Sequence, residues 1–219
     1  MKNQTKTTIA TILFLAVFIA DIWAVTTNNR VGELILKPLL MTTLAIVYLL
    51  SVKKPNFWFV SALFFSFWGD VLLLFKEQYF VFGLASFLVA HILYIKITAG
   101  FLKKVAIAKI VLATAPFVLF LALFLNLIFD NLGEMKIPVI VYGITISSFG
   151  AVTFLNYISH KTTVNLWLFL GALIFISSDS LIAINRFYEA KEIYGVLIMT
   201  TYIVAQYLIC RAIIVKQEE

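Results

Sequence analysis

Eight apolar runs follow one another along this chain, each about 17 to 24 residues long and separated by connectors too short to fold by themselves. They cover about 8–25, 34–50, 57–75, 79–99, 105–128, 137–156, 165–185 and 193–214. At 1.5 Å per residue such a run has the length that crosses a hydrocarbon core of about 30 Å. Inside lipid the backbone must satisfy its own polar groups, which leaves helices or a closed barrel. Barrel strands alternate apolar and polar residues over segments of about ten residues, and these runs do not alternate. Of the 219 residues, 63% are hydrophobic and 13% charged, where soluble domains run near half and a quarter. The sequence therefore predicts an all-α fold, a polytopic integral membrane bundle of eight transmembrane helices that forms one domain over residues 1–219.

The net charge of +6 does not mark a nucleic-acid partner, because the basic residues sit in the connectors, where they act as topology signals. With the N-terminus inside, eleven of the 17 lysines and arginines fall on the cytoplasmic side: Lys2, Lys6, Lys53, Lys54, Lys96, Lys103, Lys104, Lys109, Lys161, Arg211 and Lys216. Both termini are thus expected in the cytoplasm. A single cysteine, Cys210, permits no internal disulfide and no cysteine-based metal site. The first residues resemble a signal peptide, but Asp21 and Trp23 near the would-be cleavage point favour a retained first helix.

Against this background two carboxylates stand out. Asp70 and Asp179 each sit deep in an apolar run, FWFVSALFFSFWGDVLLLF and LWLFLGALIFISSDSLIAI. A charged side chain at the bilayer centre costs roughly 2.5–3.5 kcal/mol on insertion scales, so a chain keeps one only where it faces protein or a cavity. Connectivity places both within about 10 Å of the same membrane face, together with Asp21, Lys37, Tyr142 and Asn185. Helical spacing then groups Ala62, Ser66, Gly69 and Asp70 on span three, and Gly83, Phe87, Ala90, His91 and Tyr94 on span four. Asp179, Ala183 and Arg186 share a face of span seven, while Tyr202, Ala205 and Gln206 mark an inward side of span eight. Each has a plainer account: Lys37, Asn185 and Arg186 lie near span ends, where side chains snorkel to the interface. His91, Tyr94, Tyr142 and Gln206 are residue types that often only pack or join a hydrogen-bond network, and Asp70 and Asp179 could pair with Lys37 or Arg186 to lock helices.

Absences narrow the chemistry further. The chain has no G-x-S-x-G elbow, no H-E-x-x-H and no phosphate-binding G-x-x-x-x-G-K-[ST]. Its two histidines, His91 and His160, cannot build a three-histidine zinc site. Two carboxyl groups acting without metal, cofactor or covalent nucleophile are what remains.

The segments LKPLL (36–40), FWGDVLLLF (67–75), GLASFLVAHILYI (83–95), VYGITIS (141–147), GALIFISSDSLIAINRF (171–187) and TYIVAQYLI (201–209) resemble the YhhN-like family of lysoplasmalogenases, from about residue 30 to 210. The resemblance implies an eight-helix membrane enzyme that hydrolyses the vinyl-ether bond of lysoplasmalogens to a fatty aldehyde and a glycerophospho-head group. It carries the family's motif positions onto Lys37, Asp70, His91, Tyr94, Tyr142, Asp179, Asn185, Arg186 and Gln206. The expected partners are a lysophospholipid substrate and membrane lipid, and the expected location is a bacterial inner membrane.

Vinyl-ether hydrolysis begins with protonation of the β-carbon, so it needs a positioned acid that still holds its proton near neutral pH. Burial and a neighbouring carboxyl both favour that state. Asp70 and Asp179 are expected to be the two catalytic carboxyls, one giving the proton and the other stabilising the oxocarbenium ion and guiding water, as paired carboxyls do for glycosides. Lys37 and Arg186 are expected to hold the lipid phosphate, and Phe87 to wall the alkenyl chain. The competing expectation is a proton-coupled lipid or small-molecule transporter that uses the buried acids as relays.

Overall fold

The structure of the protein, a computed structural model, describes residues 2–218. Met1 and Glu219, the ends of the expected domain, lie outside the described residues, as does the side chain of Lys2. Among the described residues there are eight α-helices and no strand: α1 (Lys2–Thr26), α2 (Arg30–Ser51), α3 (Phe57–Leu73), α4 (Lys76–Ala99), α5 (Ile107–Ile128), α6 (Lys136–Ser159), α7 (Thr163–Phe187) and α8 (Glu192–Glu218). Seven are long and apolar enough to cross a membrane, and α3 is an apolar helix of 17 residues. This is a helical membrane protein.

Local chemistry sets the helix ends. Asn29 caps α2 by accepting from the Gly32 N–H at 3.0 Å, and Asn56 caps α3 by accepting from the Trp58 and Phe59 N–H groups at 2.9 and 3.3 Å. Thr162 caps α7 through the Asn165 N–H. α4 begins one turn earlier than the apolar run, then breaks at Tyr79 (φ −119°, ψ 15°) before continuing. Between α5 and α6 the chain makes two 3-10 turns, Phe129–Asn131 and Gly133–Met135. Many hydroxyls inside the helices donate to the carbonyl four residues back, among them Thr42, Ser51, Thr145, Ser148 and Ser180. That satisfies a polar group where no water is at hand.

The chain divides into two compact units. The first holds residues 2–93 and 213–218. Its α1 and α2 pack closely: a Cβ at Gly32 would lie 2.9 Å from that of Ala24. Tyr48 ties α2 into this unit, accepting from the Asn56 N–H at 2.7 Å and donating to Gln217 at 3.0 Å. The second unit holds residues 94–212. There α6 and α7 form a hairpin closed by Asn165, which donates to the backbone oxygens of Asn156 and His160. Ser178 of α7 donates to the Ile198 carbonyl of α8 at 3.0 Å. Gly171 lets α8 approach, since a Cβ there would lie 2.9 Å from Ile209.

Candidate functional site

In the second unit, α5, α6 and α7 line a partly open crevice, whose empty space of about 400 Å³ includes the open region at its mouth. Its α5 wall is Phe120, Leu121, Phe124 and Leu125, a spacing that puts four large apolar side chains on one face. Phe120 and Phe124 stack with ring centroids 5.6 Å apart. α6 contributes Val139, Tyr142, Gly143, Ile146 and Ser147, and α7 contributes Ile176, Asp179, Ser180 and Ala183. Glycine at 143 leaves room for the Leu121 side chain, since a Cβ there would stand 2.6 Å from Leu121 Cδ1.

The crevice is mostly apolar, and Tyr142, Ser147, Asp179 and Ser180 are the polar residues of its lining. The hydroxyl of buried Tyr142 donates to Asp179 Oδ2, joining α6 to α7 beside the crevice. Ser147, one and a half turns further along α6, is 6% exposed, and its hydroxyl has no hydrogen-bond partner. At the crevice end nearest the α5–α6 turns, Lys136 and exposed Arg186 each lie one turn beyond the lining residues Val139 and Ala183. Lys136 Nζ sits 4.4 Å from the centre of the Phe129 ring. Counted along the helices, Lys136 stands about 9 Å before Tyr142 and Arg186 about 10.5 Å beyond Asp179.

Tyr94 and Gln206, also in this unit, form a buried pair away from those lining residues. The Tyr94 hydroxyl donates to Gln206 Oε1 at 2.7 Å, and Gln206 Nε2 donates to the Tyr202 hydroxyl at 3.4 Å. Tyr94 stacks on Phe149 and Tyr202 meets Phe175 edge-on, so the network is locked from both sides. Asn185 serves the chain locally. Its side-chain oxygen accepts from the Lys191 N–H at 3.1 Å and closes the loop after α7.

In the first unit, Asp70 is 7% exposed on α3, on the same stripe as buried Ala62, Ser66 and Gly69. The Phe87 ring of α4 lies against Gly69, where a Cβ would be 2.5 Å from it. One turn on, His91 is fully buried, with Nδ1 2.8 Å from the Phe87 carbonyl. Ser86 donates to the Phe65 carbonyl at 2.7 Å, which fixes α4 on α3. Lys37 pairs with Glu33 at 2.8 Å on its own helix. Asp21 of α1 is fully buried with neither carboxyl oxygen hydrogen-bonded, and Lys37 and Glu33 are the charges that act on it. Among the described residues, no group of three or more His, Cys, Asp and Glu side chains is placed to hold a metal ion.

The sequence pattern pointed to Tyr142 and Asp179, and the structure joins them. It did not point to the α5 wall, to Lys136 or to the unpaired Ser147 hydroxyl. Ser147 was within reach as the last residue of the VYGITIS segment, but a serine in a membrane helix ordinarily bonds back to its own backbone. Lys136 heads α6 in a connector and reads there as a topology signal.

Comparison with known proteins adds an independent line. The profile of the YhhN family matches residues 32–213. Two relatives, one from Mycobacterium bovis (strain ATCC BAA-935 / AF2122/97) and one from Mycobacterium tuberculosis (strain CDC 1551 / Oshkosh), are both named lysoplasmalogenase. Each is 29% identical to this chain over 192 residues, covering 83% of it and 72% of the relative. No solved structure gives a significant match. Asp21 lies outside the matched stretch.

Proposed function

The chain belongs to the YhhN family, and we propose on that premise that it is a membrane hydrolase that cleaves the vinyl-ether bond of lysoplasmalogens. One observation carries the reading: a carboxyl group, Asp179, held by a tyrosine hydroxyl at a mostly apolar crevice between three membrane helices. A vinyl ether is an apolar group that reacts only with a strong, positioned acid, and this crevice would bring the two together.

In this reading Asp179 Oδ1 gives its proton to the β-carbon of the alkenyl group, while Tyr142 steadies Oδ2. The electron pair of the double bond forms the new C–H bond, and the ether oxygen shares its lone pair with the α-carbon, giving an oxocarbenium ion. The carboxylate left behind stabilises that ion and takes a proton from the water that adds to the α-carbon. The hemiacetal then loses the glycerol oxygen as an alcohol, releasing fatty aldehyde and glycerophospho-head group. No metal or cofactor takes part.

Asp70, buried on α3 in a motif the resemblance covers, is proposed as a catalytic carboxyl on that resemblance, with no step of its own in this mechanism. The lipid phosphate is assigned to Arg186 and Lys136 at the basic end of the crevice; Lys37, expected to share it, lies in the first unit, where it pairs with Glu33. His91, Tyr94 and Gln206 are buried positions that the resemblance assigns to the site, and Asn185 closes the loop after α7. The protein works in the bacterial inner membrane with both termini in the cytoplasm, as its basic connectors imply.

The test uses purified full-length protein in detergent with 1-alkenyl lysophosphoethanolamine, read as free aldehyde. Wild type should release aldehyde, and Asp179→Asn and Asp70→Asn should each lose it while unfolding at the wild-type temperature. A saturated 1-alkyl ether should bind without reacting, because it has no carbon to protonate. Turnover of the saturated ether, or full activity in Asp179→Asn, would refute the mechanism.

A further inference from the structure

The crevice has a closed end. On α6 it runs from Val139 to Ser147, and on α7 from Ala183 to Ile176. One turn past Ser147 the space is filled by the Phe117 ring of α5, which is 7% exposed and seated directly on Gly150. A Cβ at Gly150 would lie 2.3 Å from Phe117 Cε1 and 2.7 Å from Ile176 Cδ1, so the ring occupies the place of a missing side chain. Real Cβ atoms do not come that close, so the ring can sit there only because residue 150 is glycine. No backbone demand requires it, since Gly150 lies in regular α6.

We propose that Phe117, seated on Gly150, is the floor that sets how long a hydrocarbon chain this crevice accepts. The proposal rests on the reading that the crevice receives the alkenyl chain, and it deepens that reading into a preference within the single-chain ether lipids. Groups along the crevice follow the order of such a lipid. Basic residues 136 and 186 come first, the Tyr142–Asp179 pair about 9–10.5 Å further, and the Phe117 ring about 12 Å beyond Tyr142. A lipid with its phosphate at the basic end and its vinyl ether at Asp179 therefore points its tail at Phe117.

The floor can be moved in both directions. Phe117→Ala empties the space above Gly150, so a chain too long for wild type gains room for its last methylenes. Gly150→Ala does the opposite in this proposal, because the new methyl group must displace the ring and the Ile176 side chain that also lines the crevice. Phe117→Leu, a milder change that keeps the position apolar, acts in the same direction as Phe117→Ala.

The experiment measures two quantities across one chain-length series, in detergent-purified wild type and the three variants. The first is binding of saturated 1-alkyl lysophosphoethanolamines, which do not react. The second is kcat/KM for aldehyde release from the matching 1-alkenyl lipids. In wild type, affinity should rise with chain length and then level off. The levelling point should move to longer chains in Phe117→Ala and Phe117→Leu and to shorter chains in Gly150→Ala, with kcat/KM following. Should Phe117→Ala not fold, Phe117→Leu carries the same comparison. A levelling point that stays put in every folded variant, or an absence of binding by wild type, would overturn the floor. Binding that levels off as expected with no aldehyde from any vinyl ether would keep the floor and reject the hydrolase reading.

Discussion

Tyr142→Phe removes one oxygen and leaves the packing of a buried ring in place, so it isolates the bond to Asp179. Only the part of that bond that strengthens during reaction affects the rate. Before proton transfer the tyrosine donates to a neutral carboxyl, a contact worth about 1 kcal/mol; afterwards it donates to a carboxylate, worth about 1.5–3 kcal/mol. The difference, about 0.5–2 kcal/mol, corresponds to roughly a 2- to 30-fold loss in kcat with little change in KM. Asp179→Asn removes the acid itself, and general acid catalysis is worth about 10²–10⁴-fold. If the tyrosine acts through the carboxyl, the double variant should be no slower than Asp179→Asn alone, within about twofold. The assay is steady-state aldehyde release, with thermal unfolding in detergent as the control for folding. An equal loss from Tyr142→Phe in the presence and absence of Asp179 would refute the coupling, and so would a loss below twofold in wild type.

Two further outcomes separate binding from scaffolding. Arg186→Ala and Lys136→Ala should each raise KM by about tenfold with kcat near wild type, since a charge-assisted bond to phosphate is made equally in ground and transition states; an unchanged KM in both would remove the basic end from substrate binding. Asn185→Ala should lower stability by about 1 kcal/mol and leave kcat within twofold, because its carbonyl oxygen is used by the Lys191 N–H; a large loss of kcat at unchanged stability would return it to the site.

The helices were legible because a membrane imposes a strong pattern: the apolar runs at 57–75 and 165–185 became Phe57–Leu73 and Thr163–Phe187. Asp179 was legible for the same reason, since nothing excuses a carboxyl inside such a run except a partner or a cavity. What stayed hidden depends on which helices face each other. Phe117 and Gly150 are 33 positions apart, and a phenylalanine in a membrane helix gives no sign of whether it faces lipid or fills the gap over a glycine on another helix. Asn185 shows the converse. A polar residue near the end of a span is as useful to a loop as to a ligand, and its fold position gives it to the loop.

The transport alternative makes a demand that α6 and α7 can be held against. A proton relay needs titratable groups at short intervals across the hydrocarbon. From Gly143 to Asn156 on α6, and from Val164 to Ser178 on α7, no side chain is ionisable. Those stretches span about 20 Å each. The Phe117 ring on Gly150 and the Ile176 side chain fill the α5–α6–α7 interface within them. A proton reaching Asp179 along these two helices would find no next side chain to move to. In the proposed reading Asp179 instead acts locally, on a bond brought to it, as an acid catalyst does. The relay reading would regain ground if purified protein in vesicles carried protons under an imposed pH gradient and lost that flux in Asp179→Asn. With the acid serving a bound lipid, the same vesicles should show no such flux.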